Sequence, residues 1–213
     1  MIDWHLFGAF VVAALILVIV PGPDMILIVT LGSRRGPKAG VAAAAGVAAG
    51  LTVHMVIAVV GLAAVLHRFP AVYEVLRWTG VGYLLYLAWS TWRAGGTAAG
   101  EVAHAEPAQV NRPVLSAFRS ATITNVLNPK VILFNVAFLP QFANPELGYM
   151  PLQLALLGAV LVIIDFAIDG PIGYFAGTLG ERIRTASQTS TRRVNRVAAA
   201  IFAGLAGWLA ATS

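Results

Sequence analysis

The chain has 213 residues, of which 59% are hydrophobic and 11% charged, with a net charge of +5 and no cysteine. Soluble domains average roughly 25% charged and 45–50% apolar residues, so this composition, with a mean hydropathy of +0.81, describes a polytopic membrane protein. It excludes thiol redox chemistry, disulfides and thiolate metal sites, and the basic residues sit in short connections between apolar runs rather than in a nucleic-acid-binding patch.

The opening MIDWHLFGAF has an acidic residue and no Lys or Arg, unlike a secretory leader, so the first segment is expected to be retained. Six segments can be read against the roughly 20 apolar residues that span a bilayer. The first, about Leu6–Leu31, is interrupted by Pro21-Gly22-Pro23-Asp24. The second, Ala39–Leu66, carries one ionisable residue, His54. The third runs from about Ala71 to Trp92, edged by Trp78, Trp89 and Trp92 as interfacial anchors. A polar stretch rich in small residues, Arg93 to Pro113, reads as an exposed hinge loop. The fourth segment, about Ala117–Phe142, contains Asn125, Asn128, Pro129 and Lys130. The fifth, Leu152–Leu179, contains Asp165 and Asp169 followed by Gly170-Pro171, and the sixth is about Val194–Ala211.

Lys and Arg set the expected orientation. Eleven flank the connections 1–2, 3–4 and 5–6, against Arg68 and Arg77 on the other side. The positive-inside rule places those three loops in the cytoplasm and both termini outside.

The two interruptions are related. PGPDMILIV (Pro21–Val29) lies against LNPKVILFN (Leu127–Asn135), with Pro23 and Pro129 106 residues apart, almost half the chain. Each half then holds three spans, and an odd number turns the second half over. The expected fold is therefore all-α: six transmembrane helices in one membrane domain, as two inverted three-helix repeats (about 1–92 and 114–213, joined by loop 93–113). The first helix of each repeat is broken at proline. Proline removes a backbone donor and clashes with the preceding turn. The groups it frees are tolerated at membrane depth only beside protein, water or ligand.

The stretches PGPDMILIVTLGSRRGPKAGVAAAAGVAAG, LRWTGVGYLLYLAWSTWR and TNVLNPKVILFNVAFLPQF, in this order and spacing, resemble the LysE/RhtB family of bacterial amino-acid exporters. The resemblance covers most of residues 15–142; residues 143–213 match in length, hydropathy and the embedded Asp165. It implies a six-helix inner-membrane protein that exports amino acids or related compounds, homoserine and threonine efflux among them, on the proton gradient. The exported compound stays open.

Candidate substrate-binding residues are Pro21, Gly22, Pro23 and Asp24 of the first break and Asn125, Asn128, Pro129 and Lys130 of the second. A zwitterion would place its ammonium at Asp24 and its carboxylate at Lys130 and the half-helix start after Pro129. The plainer alternative is a permanent Asp24–Lys130 salt bridge joining the halves. Either asparagine could instead satisfy backbone groups freed at the break. Asp165 and Asp169, four apart, share a helix face, and two carboxylates on one low-dielectric face cannot both stay ionised. They are the proton-coupling candidates, with His54 either a third or an interhelical contact. Asp169 has a second reading, capping a helix break at Gly170-Pro171. Gln141, near a helix end, is a gate or a cap. Gly46-x-x-x-Gly50 and Gly173-x-x-x-Gly177 let helices approach closely, between the halves or in a homodimer.

An enzyme lacks support. The four histidines, at 5, 54, 67 and 104, are scattered without metal spacing, so no metal or cofactor is expected. No phosphate-cradling loop exists for an ATP-driven pump. The expected partners are a small amino-acid substrate and the lipid bilayer, with no nucleic acid. A passive channel or facilitator, or a non-transporting assembly component, remain the alternatives.

Overall fold

The computed structural model describes residues 2–62 and 112–184, with isolated positions within 75–93 and 196–211. Among the described residues the chain is helical and has no strand. Proline punctuates it. Helix α1 (Trp4–Ile19) is capped by Asp3, whose Oδ1 accepts from the His5 and Leu6 amides at 3.0 and 3.2 Å. It stops at Val20, which precedes Pro21 and is extended (φ −69°, ψ 117°), because the proline ring disfavours the α region for its predecessor.

Helices α2 (Pro23–Arg35), α3 (Pro37–Ile57), α4 (Pro113–Val126) and α5 (Pro129–Leu133) all begin with proline at the first turn, where its missing N–H costs nothing. Gly36, at φ 88°, ends α2 and starts α3, a left-handed turn that suits glycine. Arg34 and Arg35 close α2, where positive charge meets the negative end of the dipole. After α3 comes a π turn (Ala58–Leu62); after α5 come a π turn (Phe134–Phe138) and 3-10 turns at Leu139–Phe142 and Pro145–Leu147. Helix α6 (Met150–Arg184) runs unbroken for 35 residues through Pro171.

Two helical stretches, Pro37–Gly61 and Met150–Leu179, are each long and apolar enough to cross a bilayer. The pairs α1–α2 and α4–(Pro129–Phe142) qualify as bent spans, each turned by 50° at its break. Four of the six predicted spans thus fall on described helices. Apart from isolated positions, the third and sixth, and most of the 93–113 loop and the basic 5–6 connection, lie outside the described residues. Large apolar side chains such as Val12, Ile19, Val56, Val60, Ile163 and Phe175 face outward, while polar side chains are held inside, the arrangement a hydrocarbon solvent requires.

Two apolar clusters form the interior. One joins α1, the segment after α5 and the first half of α6, with Phe10, Phe142, Phe138 and Phe134 in successive edge-on or tilted ring contacts at centroid distances of 4.9–5.4 Å. The other joins Leu27, Ile28 and Leu31 of α2 to alanines of α3 and α4. Along the chain Asp24 lies between Val20 of the first cluster and Leu27 of the second, and Asn125 between Ala121 of the second and Val131 of the first, while Asp165 follows Leu161 of the first cluster.

Both glycine stripes are used within the chain. A side chain on Gly46 or Gly50 would meet Phe118 or Asn125 of α4; one on Gly173 or Gly177 would meet Gly40 in the first turn of α3 or Pro37 at its start. Each contact joins the first half of the sequence to the second. Gly40→Ala is therefore expected to drive a methyl into the Gly173 backbone and cost about 1–3 kcal/mol. Thermal unfolding in detergent measures this, with Gly8→Ala, whose new methyl meets nothing within 4 Å, as the control, expected to be unchanged or raised by the gain in helix propensity.

Candidate functional site

The sites of the two proline breaks meet. Pro21 lacks the N–H that would bond the Leu17 carbonyl four residues back. The Lys130 Nζ, from the second break, takes that place: it donates to the Leu17 carbonyl at 2.6 Å and the Val20 carbonyl at 2.8 Å. A cation at a helix C-terminus also meets the negative end of the α1 dipole. Gly22 packs beside this ammonium, since a side chain there would approach Lys130 Nζ at 3.4 Å.

The second break serves the first in return. The Asn125 and Asn128 amides both donate to one oxygen of Asp24, Oδ2, at 2.9 and 2.8 Å. Asn128 is extended before Pro129 (ψ 112°), and its Oδ1 caps the Lys130 amide at 3.0 Å. That cap occupies the donor the sequence offered to a substrate carboxylate. Asp24 and Lys130 form no direct salt bridge, contrary to the plainer sequence reading. Each charge is instead held by neutral groups of the opposite break.

A small cavity of about 30 Å³ opens between the breaks, walled by Gly22, Asp24, Lys130, Asp165, Asp169 and apolar residues that include Leu17, Leu51 and Leu161. Space of that size admits one or two waters, so its walls must part for anything larger. Asp165 and Asp169 lie near the middle of α6, 7% and 3% exposed. Asp169 does not cap a break, because α6 continues past Gly170-Pro171. Instead it stands one turn from Asp165 in the cavity wall. The Lys130 charge is within electrostatic reach of Asp24, Asp169 and Asp165. Four buried acceptors have no hydrogen-bond partner: Asp24 Oδ1, Asp165 Oδ2, Asp169 Oδ1 and Asn125 Oδ1. An unsatisfied buried acceptor carries its full desolvation penalty, so these oxygens call for a donor.

His54, also buried, stands behind this wall, its Nε2 3.4 Å from the Asn125 carbonyl oxygen. It makes the interhelical contact that the sequence offered as one of its two readings. Among the described residues no trio of His, Asp or Glu has the geometry of a metal site. A wider groove of about 530 Å³, walled by Ala42, Ala45, Arg112, Pro113, Leu115 and Phe118 among others, is almost wholly apolar and offers no comparable chemistry.

One polar knot escaped the sequence reading. Gln153 accepts from the Asn144 amide and donates to the Asn144 and Gly148 carbonyls at 2.7–2.9 Å. Asn144 Nδ2 in turn donates to Asp3 Oδ2 at 3.1 Å, a bond that, with the Leu6 and His5 amides, holds the Asp3 carboxyl below its ordinary range. The knot seats the turn through Gly148 and Tyr149, both at positive φ (67° and 51°), against the start of α1. Its signal was a lone glutamine in the apolar run MPLQLALL.

The family described as LysE type translocator matches residues 15–213, extending the resemblance through the second half. An uncharacterized membrane protein of Vibrio cholerae is 28% identical over 99% of the chain and 98% of its own length. The homoserine/homoserine lactone efflux protein of Salmonella typhimurium is 32% identical over 82% of the chain and 80% of its own. The leucine efflux protein of Salmonella choleraesuis is 31% identical over 75% and 74%. No solved structure matches.

Proposed function

The chain belongs to the LysE family of translocators, and from that premise we propose that it is a proton-coupled, secondary-active exporter of amino acids or amino-acid-like metabolites in the bacterial inner membrane. Members of that family are translocators, so the chain is a transporter and not an enzyme. Relatives named for leucine and for homoserine and its lactone support the substrate class, since all three compounds are small and carry an α-amino group.

The observation that carries the reading is the cavity shared by the two proline breaks, walled by Asp24, Lys130, Asp165 and Asp169. Broken helices in corresponding positions of two halves are the sequence pointer to a transporter site, and ionisable groups at membrane depth mark pathways. The substrate binds there between the breaks, near the midplane, its amino group toward Asp24. Asp165 and Asp169 carry the coupled proton. The equal 50° bends support two inverted three-helix repeats, 1–92 and 114–213, with the termini outside and loops 1–2, 3–4 and 5–6 in the cytoplasm.

The test is counterflow of labelled amino acids in proteoliposomes, with and without an imposed pH gradient. Uphill movement driven by the gradient is expected. Saturable flux indifferent to the gradient would make the protein a facilitator, and flux that never saturates a channel. Asp165→Asn is expected to lose uphill movement driven by the gradient; an unchanged response to the gradient would remove Asp165 from coupling.

A further inference from the structure

The cavity is rich in acceptors and poor in free donors. Of the three Lys130 ammonium protons, two are taken by the Leu17 and Val20 carbonyls. The Lys130 amide is taken by Asn128. The Asn125 and Asn128 amides are taken by Asp24 Oδ2. Against these, three carboxyl groups wall the cavity, and each keeps one oxygen that is buried and without a partner: Asp24 Oδ1, Asp165 Oδ2 and Asp169 Oδ1. Asp165 and Asp169 are more than nine-tenths buried. The fourth unpartnered acceptor, Asn125 Oδ1, faces Gly50 rather than the cavity.

A ligand that completes this wall brings N–H donors and positive charge. A primary ammonium has three donors in tetrahedral array, one for each waiting oxygen. A carboxylate meets the reverse: three acidic groups, and one lysine already committed to the end of α1. We propose that the cavity recognises its cargo by a primary amino group held by Asp24, Asp165 and Asp169, without anchoring the carboxyl group, so that amino-acid amides, esters and lactones are cargo alongside free amino acids. This rests on the exporter reading above and replaces the pairing of Lys130 with a substrate carboxylate.

The experiment uses the wild-type protein in proteoliposomes. An amino acid that exchanges is labelled, and its own amide, methyl ester and N-acetyl derivative are added as unlabelled competitors at a pH where the amines are protonated. The amide and ester are expected to compete within about tenfold of the parent, and the N-acetyl form, which keeps the carboxylate but loses the charged amine, to be more than about tenfold weaker. An amide or ester weaker than that limit, or an N-acetyl form within it, overturns the proposal and leaves the exporter standing. Failure of every amino acid to exchange overturns the exporter reading and this one with it.

Discussion

Asp24→Asn is expected to lower amino-acid exchange by at least about 100-fold, on the order of the cost of losing a desolvated charge contact, while the variant still inserts and unfolds near the wild-type temperature. The two oxygens of Asp24 have separate duties. Oδ2 receives both the Asn125 and Asn128 amides, and Oδ1 has no partner. An asparagine at this position can present its carbonyl oxygen, with two lone pairs, to both amides and so keep the join between the breaks. Its NH₂ then replaces the unpartnered Oδ1, exchanging an acidic acceptor for a neutral donor in the residue that walls the cavity. Exchange by proteoliposomes, read beside a melting curve in detergent, separates the outcomes. Normal exchange would remove Asp24 from the site. A variant that fails to insert would return the residue to a purely structural role.

The proline breaks were legible because their physics is local. Val20 and Asn128 carry Cβ atoms that clash with the ring of the following proline in the α conformation, and both are extended (ψ 117° and 112°). The same logic misread Asp169-Gly170-Pro171. Gly170 has no Cβ, so the clash that ends α1 and α4 is relieved and α6 passes through. Asp169 is thereby kept on the same face as Asp165 instead of turning outward as a cap.

Partner choice was not legible. Opposite charges in equivalent places of two halves suggest that they pair, but the spacing of residues along the chain says nothing of which acceptor an ammonium will meet. Lys130 meets the Leu17 carbonyl freed by Pro21 and the Val20 carbonyl at the end of α1, and Asp24 meets amides of the second break. The glycine stripes show the same limit. Their spacing announces close approach, but only the packed chain assigns Gly46 to Phe118 and Gly173 to Gly40. The Gln153 knot depends on a turn of irregular backbone, for which hydropathy carries no signal.

Lys130→Met is expected to destabilise the protein by about 2–6 kcal/mol, because it strands two carbonyls at roughly 1–3 kcal/mol each. The Leu17 carbonyl loses its donor for a specific reason: Pro21, four residues on, has none to give. Replacing that proline supplies one. In Pro21→Ala the residue before it, Val20, is no longer barred from the α region, and the new N–H can reach Leu17 as α1 extends by a turn. The double variant Lys130→Met/Pro21→Ala is therefore expected to recover about 1 kcal/mol or more of the loss, read as a raised melting temperature in detergent. Transport should not return with it, because the break that opens the cavity has been closed. Were the two substitutions simply additive, Lys130 would not be acting as the donor that Pro21 lacks, and its hold on the end of α1 would have to come from charge alone.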